Sequence, residues 1–261
     1  MPTVLFAITA SNIWTMKDGS TIPAGFWAEE VVDPYRILTT AGITVRIATP
    51  DGAPAPLQPY SLDESMTGSP ERTAELKDAL AGLARQLETP EVLADVDADS
   101  INSLFIPGGT GPMEDLYKDA DLGRLINALD SHDAYIATAC HGTVALLSAR
   151  DEKDPWTFAG YEMTGFSNEE EDQGGPEDAA PFTLETRLRN EGAQYVSGGP
   201  WAPIVVTDRN LISGQNPASA AEVARQLASA LSYSAVAAAP ISAAAKRTDG
   251  GSYVAAHTCG T

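Results

Sequence analysis

At 261 residues and 43% hydrophobic composition, the chain is long enough to bury one α/β core, or one domain with a small subdomain. Its 16 basic residues against 36 acidic ones give a formal charge of -20, which argues against nucleic acid and anionic membrane surfaces as partners. No apolar run approaches the roughly 18–20 residues of a membrane span, and the start Met1-Pro-Thr-Val-Leu-Phe lacks the basic region of a signal peptide.

Residues 4–9 are a short apolar run, the pattern of a central parallel strand, and 11–23 read as a polar loop. Residues 26–38 carry apolar side chains at spacings of three and four, which predicts a helix that Pro34 kinks or breaks. A second strand is predicted at 43–48, a Pro-, Ser- and Gly-rich loop at 53–70, a helix over 71–87 and a short turn at 90–94. Residues 103–111 are a strand running into a glycine-rich turn, and 122–129 a helix. An apolar strand then ends at Ala139, and a helix is expected after Gly142. A strand at 160–166, an acidic loop at 168–172 and a helix at 181–190 come next, with short strands at Tyr195 and 204–206. Residues 211–219 end a strand and open a last helix reaching about Leu231. The Ala-, Gly- and Ser-rich stretch 233–261 is expected to be a tail outside a domain of residues 1–232.

Strands alternating with helices predict a mostly parallel sheet covered on both faces. In such sheets ligands sit outside the carboxyl ends of the strands. Gly108-Gly109, Cys140 and Gln215-Asn216 each follow a predicted strand, so one sheet edge can gather them.

The strand-to-turn junction at Cys140-His141-Gly142 carries the most chemical information. A residue at such a turn is strained and presented at a helix N-terminus, the device that carries Ser in many hydrolases. A helix N-terminus favours the thiolate, which is the nucleophile. The bland alternative is a buried structural cysteine beside an incidental histidine. Cys259, in the tail, is the only other cysteine; a disulfide framework is not expected, and a reducing cytoplasm fits. Asn216 and Ser219 read as caps of the last helix, and His132 and His257 as surface residues. No spacing resembles a zinc site, and Gly108-Gly-Thr-Gly111 lacks the Lys-Ser/Thr of a phosphate-binding loop.

Five segments in order resemble the ThiJ/PfpI superfamily over roughly residues 2–232. They are Gly25-Phe-Trp-Ala-Glu-Glu30, Phe105-Ile-Pro-Gly-Gly109, Ala137-Thr-Ala-Cys-His-Gly142, Met163-Thr-Gly-Phe-Ser-Asn-Glu-Glu-Glu171 and Leu211-Ile-Ser-Gly-Gln-Asn-Pro-Ala-Ser219. Within it, they are most similar to the glyoxalase III and heat-shock chaperone branch. The resemblance implies a flavodoxin-like three-layer α/β sandwich with a nucleophile elbow, a homodimer, and Cys140 and His141 as nucleophile and catalytic imidazole. Glu30 matches the carboxylate that meets the sulfur, with Glu29 a rival one residue away and about 100° around the helix. The acid that orients the histidine falls at Glu171, with Glu170 and Glu169 open as alternatives. Gly108 and Gly109, with the His141 amide, are candidates for an oxyanion hole. Trp14, Trp27 and Phe166 are candidates for the pocket lining.

The leading expectation is a cofactor-free glyoxalase acting on a small carbonyl substrate such as methylglyoxal. Other Cys-dependent chemistry (an amidase, a hydratase, a biosynthetic enzyme) is a second class, with loops 11–24 or 53–70 deciding the substrate. A redox sensor or holdase is a third. No cofactor and no metal are expected.

Overall fold

In the computed structural model, residues 1–150, 156–175 and 178–237 are described. The elements run β1 (Thr3–Ala7), β2 (Ile13–Thr15), β3 (Thr21–Pro23), α1 (Ala28–Thr40), β4 (Thr44–Thr49), α2 (Glu64–Thr67), α3 (Pro70–Glu88), β5 (Glu91–Val92) and β6 (Ser103–Ile106). They continue with α4 (Ala120–Ser131), β7 (Tyr135–Ala139), a 3-10 helical segment Cys140–Ser148, β8 (Glu162–Met163), α5 (Asn168–Gly174) and α6 (Leu184–Asn190). β9 (Gln194–Tyr195), β10 (Val205–Asp208), β11 (Leu211–Gly214) and α7 (Ala220–Ala237) complete the order.

Seven strands form one sheet in the order β10-β11-β7-β6-β1-β4-β5. Every neighbouring pair is parallel except the β10–β11 hairpin. Two-residue periodicity divides the core. Val4 and Phe6 of β1, Phe105 of β6, Ala137 of β7 and Ile212 of β11 join one buried cluster with Val31 and Leu38 of α1 and Val223 and Leu227 of α7. Their strand neighbours Leu5, Leu104, Ile106, Ile136 and Leu211 join the other with Leu122 and Ile126 of α4 and Leu184 of α6. The sheet is therefore apolar on both faces and sandwiched between helices, as a parallel sheet requires. No described helix is long and apolar enough to cross a membrane.

Several expectations need correction. The polar stretch 11–23 contains the hairpin β2–β3, pairing Ile13–Thr15 with Thr21–Pro23. Alternation over three residues is too short to register against a polar background. The turn at 90–94 includes β5, an edge strand on β4. α1 runs through Pro34. Pro34 stands in its second turn, where it costs one backbone hydrogen bond without ending the helix. The acidic loop at 168–172 is a helix, α5, opened by a capping box in which Ser167 and Glu170 bond reciprocally. Helical structure after the elbow starts at Cys140 itself. The tail 233–261, including His257 and Cys259, lies outside the described residues from position 238 onward, and α7 extends to Ala237.

Candidate functional site

Three strand ends converge at the carboxyl edge of the sheet. β7 delivers Cys140, whose φ of 54° places a non-glycine residue in the left-handed region. The turn is possible because its neighbours are small. A Cβ at Gly142 would stand 2.3 Å from the Ile106 carbonyl oxygen, and one at Gly108 would stand 2.8 Å from the His141 nitrogen. β6 delivers Gly108 and Gly109; the latter has φ 86° and approaches the Gly25 carbonyl so closely that a Cβ would lie 2.3 Å from it. β11 delivers Asn216, two residues past its end.

Cys140 is buried, and its Sγ lies 3.4 Å from Nδ1 of the adjacent His141. The other ring nitrogen, Nε2, is 2.8 Å from Oε1 of Glu171. A carboxylate can only accept from Nε2–H, so this contact assigns the tautomer that leaves the Nδ1 lone pair facing sulfur. Phe166 stacks on the imidazole at 4.3 Å between ring centroids, fixing its plane. Trp14 meets the ring edge-on at 6.4 Å from within the core and is not part of the cavity lining.

Burial separates the candidate acids. Glu169 is exposed, Glu170 is spent on the capping box, and Glu171 reaches the histidine. At the start of α1, Glu29 faces outward to Arg72, 3.1 Å away. Glu30 turns inward with no exposure, its Oε2 accepting the Gly108 N–H at 2.7 Å. Burial pushes the Glu30 carboxyl up to about 7, against the pull of the Gly108 amide, the Cys140 thiol and His141. Two buried carboxyl oxygens, Oε1 of Glu30 and Oε2 of Glu171, have no hydrogen-bond partner among the described residues.

Two expectations change. Burial, then the charge of Glu30, pushes the Cys140 thiol well above its ordinary value. The helix N-terminus does not win here; the N–H groups of His141 and Gly109 offset only part of the desolvation. The resting group is a thiol. In addition, the Gly108 N–H is committed to Glu30, which removes it from the expected oxyanion set, whereas the N–H groups of Gly109 and His141 are directed at the Cys140 sulfur.

A cavity of about 420 Å³ opens above the sulfur, lined by Trp27, Tyr60, Met66, Phe166 and Trp201 among others. The 53–70 loop supplies Gln58, Tyr60, Ser65 and Met66, whereas 11–24 contributes nothing to this lining. Gln58 is buried and takes the Thr110 N–H at 2.6 Å, which pins the loop to the glycine turn. Asn216 does not cap α7 through its side chain. Its amide donates to Glu170 Oε1 and to the Ala202 carbonyl, both at 2.8 Å. Tyr60, Met66 and Trp201 carry no periodic signal in the sequence: Tyr60 and Trp201 are isolated apolar residues in turns, and α2, which holds Met66, is too short to show a period. His132 is exposed as expected.

The profile of the DJ-1/PfpI family matches residues 21–230. The chain belongs to the DJ-1/PfpI family. It is 28% identical over 230 residues to the protein/nucleic acid deglycase HchA of Pseudomonas aeruginosa, covering 82% of this chain and 75% of that one. It is 24% identical over 237 residues to glyoxalase 3 of Candida albicans, covering 88% of this chain and 98% of the relative. Among solved structures, the Rapid Encystment Protein 24 kDa of Francisella tularensis superposes with a TM-score of 0.79 at 28% identity, over 88% of this chain and 99% of that one. The crystal structure of Candida albicans glyoxalase III shares the fold at a TM-score of 0.75 and 23% identity, over 88% and 97% of the two chains. Membership agrees with the resemblance read from the five segments, and the homologues include glyoxalase and deglycase enzymes.

Proposed function

We propose that this member of the family is a cysteine-dependent glyoxalase of the glyoxalase III type. It converts methylglyoxal or a related 2-oxoaldehyde to the 2-hydroxy acid without a cofactor. The observation that carries the reading is the relay Cys140–His141–Glu171, with Glu30 on the other side of the sulfur.

Because the thiol is neutral at rest, its proton leaves as sulfur attacks. Nδ1 of His141 receives it, and Glu171 stabilises the imidazolium that forms. Sulfur adds to the aldehyde carbon, and the proton passes to the former aldehyde oxygen to give a hemithioacetal. The N–H groups of Gly109 and His141 stabilise charge on that oxygen. The imidazole then removes the hydrogen of the same carbon as a proton, leaving an enediolate in which the hydroxyl proton passes to the neighbouring oxygen. Return of the proton to the neighbouring carbon gives a thioester, and water cleaves it to the acid and the free thiol. The aldehyde carbon is oxidised and its neighbour reduced, so no outside oxidant or reductant enters. Glu30, with a pKa of about 7, holds a proton against the sulfur while the thiolate character develops.

The test is methylglyoxal turnover without glutathione, followed as lactate. Wild type should turn over, and Cys140→Ala should lose at least about 10³-fold. A folded wild-type protein that makes no lactate rules the reading out.

A further inference from the structure

The floor of the cavity is polar and buried, but its mouth is apolar and exposed. Seven large hydrophobic side chains are exposed among the described residues; three of them, Tyr60 at 37%, Met66 at 53% and Trp201 at 48%, ring this one opening. Clustering of that kind marks a recognition surface, where scattered apolar residues would need no account.

Trp201 is held there. Its φ of 62° is in the left-handed region, a strained conformation for a bulky side chain. Its backbone N–H donates to Glu170 Oε1 at 2.9 Å and its indole N–H to Gln173 Oε1 at 2.7 Å. The ring meets Phe166 edge-on at 5.7 Å. It also lies flat enough on α5 that a Cβ at Gly174 would stand 3.3 Å from its Cη2. A tryptophan fixed by two hydrogen bonds and a ring contact, yet left nearly half exposed, is a preformed platform. Such rigid aromatics give contact area at small entropy cost.

Size and charge define what fits. About 420 Å³ falls within the range of roughly 300–1,000 Å³ for cavities that enclose drug-sized ligands. Methylglyoxal has the bulk of only a few water molecules at about 30 Å³ each. No Lys or Arg lines the cavity among the described residues, and Glu171 is at its base, so an anionic substituent gains nothing there.

We propose that Tyr60, Met66 and Trp201 form a subsite for an uncharged apolar substituent on the carbonyl substrate. The chain then prefers arylglyoxal-class 2-oxoaldehydes to methylglyoxal; this rests on the glyoxalase reading of the floor. The chemistry is unchanged: sulfur adds to the aldehyde carbon, hydrogen moves to the carbon bearing the aryl group, and water releases the aryl 2-hydroxy acid.

Initial rates with phenylglyoxal and methylglyoxal test it, measured as mandelate and lactate. The wild-type kcat/KM for phenylglyoxal should exceed that for methylglyoxal by at least about tenfold. That ratio should fall about tenfold in Trp201→Ala and about threefold in Met66→Ser, and stay put in Tyr233→Ser, an exposed position near the far end of α7. A non-reacting probe separates the subsite from the chemistry. Acetophenone should bind Cys140→Ala at least about tenfold more tightly than acetone, by tryptophan fluorescence, and lose that margin when Trp201→Ala is added. Lactate formation with no phenylglyoxal preference and no acetophenone margin overturns the subsite alone. Selective acetophenone binding with no turnover of either aldehyde keeps the subsite and overturns the glyoxalase reading. Equal ratios in wild type, Trp201→Ala and Met66→Ser overturn the subsite, leaving the apolar rim without this role.

Discussion

The floor and the mouth of the cavity are built on opposite plans. On the floor, Cys140, Glu30, His141 and Glu171 are all buried, and each is carried at the start of a helical segment or one turn into it. At the mouth, Tyr60, Met66 and Trp201 are exposed, Tyr60 on a 3-10 turn, Met66 on the short helix α2 and Trp201 on a turn. Geometry that must hold to a few tenths of an ångström sits on elements pinned by the core. Contacts that choose among substrates sit where substitution costs little stability. Glu170 ties the two levels together. Its Oε2 closes the capping box that aims Glu171, while its Oε1 takes the Trp201 N–H and the Asn216 amide.

Beyond loss of the sulfur itself, the largest effect on the floor is expected at Glu171. Glu171→Gln keeps the shape but its amide can present a donor to Nε2, which permits the wrong imidazole tautomer. Turnover of 2-oxoaldehyde should fall on the order of 10³-fold with KM little changed, as measured by steady-state kinetics. An unchanged kcat would break the floor's coherence and reduce the 2.8 Å contact to a structural tie.

Much of this floor is legible in the sequence. Strand–turn–helix alternation placed Cys140 at a sheet edge, and the five ordered segments pointed to Glu30, His141 and Glu171. The choice between adjacent acids rests on the resemblance alone, not on the pattern of the acids themselves. Glu169, Glu170 and Glu171 share one composition and differ only in which way a helix turns them, and four consecutive acidic residues hide the capping box that opens that helix. The environment of Cys140 is hidden from the sequence for a related reason. Helix N-termini are visible in a pattern, but the desolvation that overrides them depends on what packs above the sulfur. The mouth was least legible. Trp201 and Met66 matter through long-range convergence, and no local period announces it.

The next effect in size concerns stability. Glu30 has its carboxyl raised from 4.5 to about 7 in the fold. Between those values the folded state binds a proton that the unfolded state has lost, so this group's contribution is fully present below about 4.5 and is lost as pH rises through about 7. The full swing corresponds to about 3 kcal/mol. Glu30→Gln mimics the protonated form, accepting from Gly108 and donating toward sulfur, and it does not titrate. Its stability relative to wild type should therefore rise by about 3 kcal/mol between pH 4.5 and pH 8, read from urea midpoints at each pH. A constant difference across that range would mean that the carboxyl stays ionised when buried, and the proton assigned to it in the mechanism would have to come from elsewhere.

The smallest expected effect sharpens the contrast at a single peptide bond. Glu29 precedes Glu30 and lies at the cavity rim, but α1 turns it toward Arg72, which also holds Asp33 and Glu75. Glu29→Gln removes one of three acidic partners from a guanidinium that keeps the other two. Burial raises the Glu29 carboxyl more than Arg72 lowers it, so removing its charge relieves desolvation and offsets part of the lost ion pair. The cost should stay below about 1 kcal/mol in urea denaturation, and kcat/KM should change less than about threefold. If Glu29→Gln instead matched Glu30→Gln in its pH-dependent stability or exceeded it in lost turnover, the assignment of the inward carboxyl would be reversed. The physical reason for expecting otherwise is the 100° step of the helix. One residue of rotation carries a carboxyl from a part-exposed ion pair with Arg72 to a fully buried site beside a thiol, where desolvation pushes it up to about 7.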